Sequence, residues 1–279
     1  MLFMVKVLTQ FKLKYSVRRD YVDRRILEKR DAVLGKEFDT NTCGKCVVIE
    51  YNRKRDVLVR FFEPHCIVRC CIGNLERGGV FNPMFQSFYG KGYIGVGEYS
   101  SRDKAAFTLW CGILQRLYDE KTLEKNSAYR GVTLQEDWLN FQNFAAWCYN
   151  QPFFNTKDHK GKVYHMDKDI LVKGNKTYSS DVCCFVPQEV NTLLTLRSKH
   201  RGKYPLGVSF NAGCQKFTAN ISCYGEQKRL GIHKTPEEAF QAYKKAKEAY
   251  IKDVAEKWRG RIGDRVYEAL MKWDISIDD

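Results

Sequence analysis

An α+β fold spread over several units is the class the sequence predicts, and three observations predict it. Short runs of β-branched and aromatic residues, "VVIEY", "DVLVRFF" and "CIVRCCI", follow Gly35 and are separated by the turn-formers "NRKRD" and "EPH". Through residues 104–150 aromatic and aliphatic residues recur three or four apart, the spacing of helices with one apolar face. From Tyr204 the texture returns to strands, "LGVSF", "KFTANIS" and "KRLGIHK", closed by one long amphipathic run. The expected units are a basic N-terminal arm or helix (1–32), a small β-barrel-like domain (33–89) and a helical lead-in with the polar, lysine-rich region that follows it (90–195). A basic linker (196–204), a three-stranded sheet packed on one helix (205–258) and a C-terminal tail (259–279) complete the chain.

Each element has its own warrant. Residues 16–30, "SVRRDYVDRRILEKR", are charge-dense, and only Val17, Tyr21 and Ile26 mark a helical face. Three or more short strands within about fifty residues suggest a small barrel. "GKGYIGVGEYSS" is glycine-rich enough to be a connector. Phe107, Trp110, Ile113, Leu114 and Leu117 form one apolar stripe, and Trp138, Phe141, Phe144, Ala145 and Trp147 form a second. Core packing is the expected role of these aromatics, ahead of base stacking. In the linker, Arg197, Lys199, Arg201 and Lys203 alternate, a pattern that suits a phosphate backbone and equally suits a solvated bridge. Thr235 is a strong N-cap, Pro236 takes the first helical position, and Glu238 stands where a capping-box carboxylate reaches back. Phe240, Tyr243, Tyr250, Ile251, Val254 and Trp258 then give the helix a face that covers one side of the sheet.

The other side of that sheet is left open. If Phe217, Ala219 and Ile221 turn inward, Lys216, Thr218, Asn220 and Ser222 turn outward, and the following strand adds Lys228, Arg229 and His233. The formal charge is +14, from 47 basic against 33 acidic side chains, which favours a polyanionic partner. Here that charge has a location, and double-stranded DNA fits it: cations neutralise phosphates and an amide pairs with a base edge.

The opening "MLFMVKVL" breaks at Lys6 and lacks a cleavage site, so no secretion and no membrane span are expected. Eleven scattered cysteines then read as reduced thiols of a cytoplasmic chain. Cys43 and Cys46, with Cys66 and Cys70, imitate zinc-ligand spacing. Against a structural zinc, Cys70 adjoins Cys71, and Cys46 and Cys66 fall in alternating patterns where cysteine serves as a small buried hydrophobe.

"GVSF…KFTANIS…KRLGIHKTPEEAFQAYKKAKE", from about Tyr204 to Ala255, resembles the DNA-binding domain of the plant ethylene-response factors (APETALA type), relatives of which end bacteriophage homing endonucleases. The resemblance implies a sheet docked in the major groove and backed by its helix. Ser209, Lys216 and Asn220 replace the arginines and tryptophans of the plant strands, so base preference is not carried over. "DKDILVKGNKTYSSDVCCFVPQEVN" is similar to the hairpin of phage HNH endonucleases, and "YRGVTLQEDWLNFQNFAAW" to their helical lead-in. This implies a nuclease of an infected bacterial cell that hydrolyses phosphodiesters with Mg²⁺ or another divalent metal. Asp167 matches the metal-binding acid, Asn175 the loop asparagine, and "CCFVPQEVN" the closing helix and exit. Lys168 stands where the general-base histidine is expected, and Val182 where a second ligand would project from the helix. His165, three residues before Lys168, and Asp169, taken to share a strand face with Asp167, are the candidate replacements for base and ligand.

Two functions are compatible with these residues. One is an HNH-like homing-type endonuclease with Asp167 and Asp169 on the metal, Asn175 bracing the loop, and Lys168 or His165 as base or phosphate clamp. The alternative is a catalytically degenerate DNA-binding protein, a regulator or host-interfering factor, that keeps the scaffold without cutting. A third class, a protein-interaction module, would rest on the N-terminal strands.

Overall fold

The computed structural model describes residues 24–194 and 203–279, and the fold is α+β. Val17, Tyr21, Arg197, Lys199 and Arg201 lie outside the described residues. The chain divides into two compact units, Met1–Glu98 and Tyr99–Asp279.

In the first unit, helix α1 (residues 24–33) precedes four antiparallel strands, β1 (Glu37–Asp39), β2 (Lys45–Arg53), β3 (Asp56–Phe61) and β4 (Cys66–Cys70), and then helix α2 (Ile72–Glu76). The strands form an open meander in the order β1-β2-β3-β4. The expected barrel does not close among the described residues. Closure needs β1 against β4, but β1 is only three residues long and stands at the opposite edge. The apolar face is covered instead by Val33 of α1 and by Ile72 and Leu75 of α2, which pack with Val48, Val57, Val59 and Phe61. A register shift between Val48 and Glu50 lets Val48 and Tyr51, three apart, both face this core.

The second unit opens with the two aromatic stripes. Helix α3 (Lys104–Tyr118) starts at Asp103, whose carboxylate accepts the Ala105 N–H at 3.2 Å, and buries Trp110, Ile113, Leu114 and Leu117. Helix α4 (Glu120–Lys125), strand β5 (Thr133–Leu134) and a 3₁₀ turn (Glu136–Leu139) lead to helix α5 (Phe141–Asn150). Trp110 donates its indole N–H to the Trp138 carbonyl at 2.7 Å, and Phe107 meets Phe141 edge-on at 5.4 Å. These contacts are those of a packed interior, with the buried indole N–H satisfied.

Next come strands β6 (His165–Asp167), β7 (Thr177–Tyr178) and β8 (Cys184–Val186), then helix α6 (Gln188–Leu193). β6 pairs antiparallel with β8, while β7 runs parallel to β5 of the lead-in. Val182 therefore does not stand on a helix as expected; it occupies a turn before β8, because "CFV" pairs as strand and the helix starts only after Pro187.

Strands β9 (Val208–Asn211), β10 (Lys216–Cys223) and β11 (Glu226–His233) form an antiparallel sheet in the order β11-β10-β9, packed on helix α7 (Pro236–Lys257). Thr235 Oγ1 accepts from the Glu238 N–H at 3.2 Å, and Glu238 accepts from the Lys234 N–H at 2.9 Å, a reciprocal cap that fixes where the helix begins. Residues 259–279 are not an extended tail. Helix α8 (Asp264–Met271) buries Val266 and Leu270 and packs on α7, while Ile262 and Ile275 are also buried. Polar ties join this end to the hairpin region: Lys173 donates to the Asp274 carbonyl at 2.9 Å, and Glu189 accepts from Lys257 at 2.7 Å and from the Trp258 indole at 2.9 Å.

Candidate nucleic-acid interface and the acidic loop

Cross-strand partners share a face of a sheet, so the register decides what the sheet presents. Ala219 and Ile221 are buried on the α7 side. Lys216, Thr218, Asn220 and Ser222 take the opposite side, with Ser209 and Asn211 of β9 paired to Thr218 and Lys216. On β11 the pairing slips between Ala219 and Asn220: Gly231 pairs with Ala219 but Arg229 pairs with Asn220, leaving Leu230 as the extra residue of a bulge. The slip puts Arg229 beside Asn220 on the open side, together with Gln227 and Ile232.

The register also corrects two assignments. His233 pairs with Phe217 and Lys228 with Ile221, so both belong to the α7 side of the register. Gly231 makes room for the imidazole, since a Cβ there would lie 3.1 Å from His233 Nε2. Thr218 does face outward but is only 7% exposed, because it is on the central strand between Ser209 and Ile232; its hydroxyl is not available to a partner.

What remains at the surface is compact. Lys216, Ser222 and Arg229 are exposed, Asn220 is half-buried, and Ile232 is 45% exposed. Neither Lys216 nor Arg229 has a salt bridge among the described residues. Asn220 Nδ2 reaches Ser209 Oγ at 3.4 Å, which orients the amide without consuming it. Three strands span about 10 Å across, close to the width of about 12 Å of a B-DNA major groove. Lys203, at the start of this unit, is exposed. Strict alternation from Arg229 reaches Gln227 but does not find Ile232 on this face; the Leu230-Gly231 pair is the signal that could, since a glycine within a strand marks a bulge.

The loop after β6 is organised by one carboxylate. Asp167 Oδ1 accepts the N–H groups of Asp169 at 2.7 Å and Ile170 at 2.8 Å, turning the chain at Lys168. Burial pushes the Asp167 carboxyl above the usual range, against these two hydrogen bonds, which favour its ionised form. Asp169 lies beyond the end of β6, so it does not share a strand face with Asp167. Lys168 Nζ is surrounded by Asp169 Oδ1 at 2.7 Å, Asp169 Oδ2 at 2.8 Å and the Asn175 carbonyl at 2.8 Å, with the Tyr178 ring centroid 5.9 Å away. Asn175 closes the circuit: Nδ2 donates to the Lys168 carbonyl at 2.8 Å and the Thr177 carbonyl at 2.7 Å, and Oδ1 accepts from the Thr177 N–H at 3.1 Å. Asn175 thus braces the loop. Lys168 is equally a brace, with three acceptors around a group that carries three donors.

A divalent metal needs several oxygens or imidazoles aimed at one point. Asp167 spends Oδ1 on the backbone, Asp169 is held by Lys168, and His165 is exposed on β6, where it lines a cleft beside α3. Among the described residues no three His, Cys, Asp or Glu side chains converge on a metal position. The residues present do not fit the Mg²⁺ that the HNH resemblance implies. In the first unit, Cys46 and Cys66 both pair with Phe61 from opposite sides, which sets two strand spacings between them, about 10 Å. Burial pushes the thiols of Cys46 and Cys66 up, and that of Cys70 to about 11, the direction that disfavours metal-ligating thiolates.

No helix among the described residues is long and apolar enough to cross a membrane. No protein-family model, curated protein or solved structure matches this chain.

Proposed function

We propose that the chain is a DNA-binding protein that docks duplex DNA on the open face of the β9–β11 sheet, and that the Asp167–Asn175 loop is a braced scaffold rather than a hydrolytic centre. The observation that carries the first part is the exposed placement of Lys216 and Arg229, without salt bridges among the described residues, around the half-buried Asn220. The cations neutralise backbone phosphates and supply affinity. Asn220, whose amide offers both donor and acceptor, is the group that reads a base edge, an adenine by preference. The second part is supported by the closed hydrogen-bond circuit of Asp167, Lys168, Asp169 and Asn175.

The competing reading is a metal-dependent, HNH-like endonuclease of the phage homing type, and one experiment separates the two. Supercoiled plasmid is incubated with the full chain and Mg²⁺ or Mn²⁺, beside an Asp167→Ala variant. The proposal expects no nicked or linear product from either protein. Nicking by the parent that Asp167→Ala abolishes establishes the endonuclease and removes the scaffold reading.

A further inference from the structure

An open cleft of about 690 Å³ lies within the second unit, between α3 and the β6–β8 pair, well away from the α7-backed sheet in sequence. Its lining combines two chemistries. Lys104, at the start of α3, Arg116, near its end, and His165, on β6, supply basic groups. Among the described residues no carboxylate lines it. The floor is apolar: Phe154 packs on Phe185 with centroids 5.2 Å apart, beside Val163, which is 44% exposed.

The basic groups are not placed at random. Arg116 is held by a 2.8 Å bond from Nε to the Gly112 carbonyl, and its guanidinium donates to the Tyr178 hydroxyl at 3.4 Å and lies 5.8 Å from the ring centroids of both Tyr129 and Tyr178, so its position at this end of the cleft is fixed before any ligand arrives. Lys104 and Arg116 are twelve positions apart on one helix, which is about 18 Å along the axis. That length exceeds one nucleotide and suits on the order of three in an extended single strand. A duplex is too wide for such a slot, and its bases are stacked away from the floor.

We infer that this cleft binds a short unpaired segment of single-stranded DNA, with phosphates on Lys104, Arg116 and His165 and a base laid on Phe154. Aromatic floors and cationic walls are the combination by which proteins hold single strands without sequence preference. The inference extends the nucleic-acid reading above to a second site, and it does not depend on the sheet.

The test uses a fluorescein-labelled oligodeoxythymidylate hexamer and the full chain, read by anisotropy in the presence and absence of saturating unlabelled duplex. The hexamer is expected to bind, to stay bound when duplex is added, and to lose about tenfold in affinity with either Lys104→Glu or His165→Ala, each a loss of one charge-assisted phosphate contact. Both residues are exposed, so neither change removes a core contact. Failure of the hexamer to bind, its displacement by duplex, or unchanged affinity in both variants overturns the inference. Hexamer binding with these properties in a chain that ignores duplex upholds the cleft and removes the sheet reading instead.

Discussion

Replacing Gly207 with alanine will collapse the sheet that the proposed function rests on, at a cost of about 3 kcal/mol or more. Gly207 sits at φ +73°, and a Cβ built there would overlap the ring of Tyr243 on α7. Its carbonyl also accepts the Asn220 N–H at 2.8 Å, so the residue cannot slide away without breaking a tie to β10. Overpacking contributes about 1–3 kcal/mol, and a left-handed backbone for a residue with a Cβ about 1–2 more. Gly225→Ala is the control: its φ is +83° but nothing lies within 4 Å of the added carbon, so only the backbone cost of about 1–2 kcal/mol remains. Tryptophan fluorescence in urea measures both, because Trp110, Trp138, Trp147, Trp258 and Trp273 all belong to the second unit. Adding Tyr243→Ala to Gly207→Ala should restore part of the loss, since the two residues share one contact.

Reversing the charges on the open face gives the largest expected effect on binding. With Lys216→Glu and Arg229→Glu together, duplex affinity should fall by about a hundredfold at moderate salt, and the slope of log affinity against log salt should shrink by about two. Each cation sits exposed without a salt bridge among the described residues, so its removal costs a phosphate contact rather than a structural one. Fluorescence anisotropy across a salt series reads both numbers. A slope equal to the parent's would mean that neither residue meets the backbone.

Much of this unit is legible in the sequence because its determinants are local. The Thr235, Pro236 and Glu238 cap, the stripe from Phe240 to Trp258, and the alternation of β10 each depend on residues a few positions apart. Legibility is lost where one residue changes the parity of the rest of a strand. A single extra residue at Leu230 moves His233 to the helix side and brings Ile232 out, while Lys228, next to Arg229, is on the helix side by alternation alone. At Asp167 the side chain captures two backbone N–H groups, which ends the strand and voids the period-two expectation that places Asp169 beside it. Barrel closure is a different case: it depends on which strand edges meet, and composition is silent on that. Helix α8 hides within an expected tail because it is only eight residues long, and its apolar side, Val266 and Leu270, finds its partner only in α7.

The most direct test of the central claim is lysine footprinting of the full chain with and without duplex DNA, using an acylating reagent and mass spectrometry. Lys216, on the open face of β10, should lose reactivity when duplex is bound, while Lys45 and Lys54 of the first unit keep theirs. Unchanged reactivity at Lys216 with protection at Lys45 and Lys54 would contradict the account and move the interface to the β1–β4 meander.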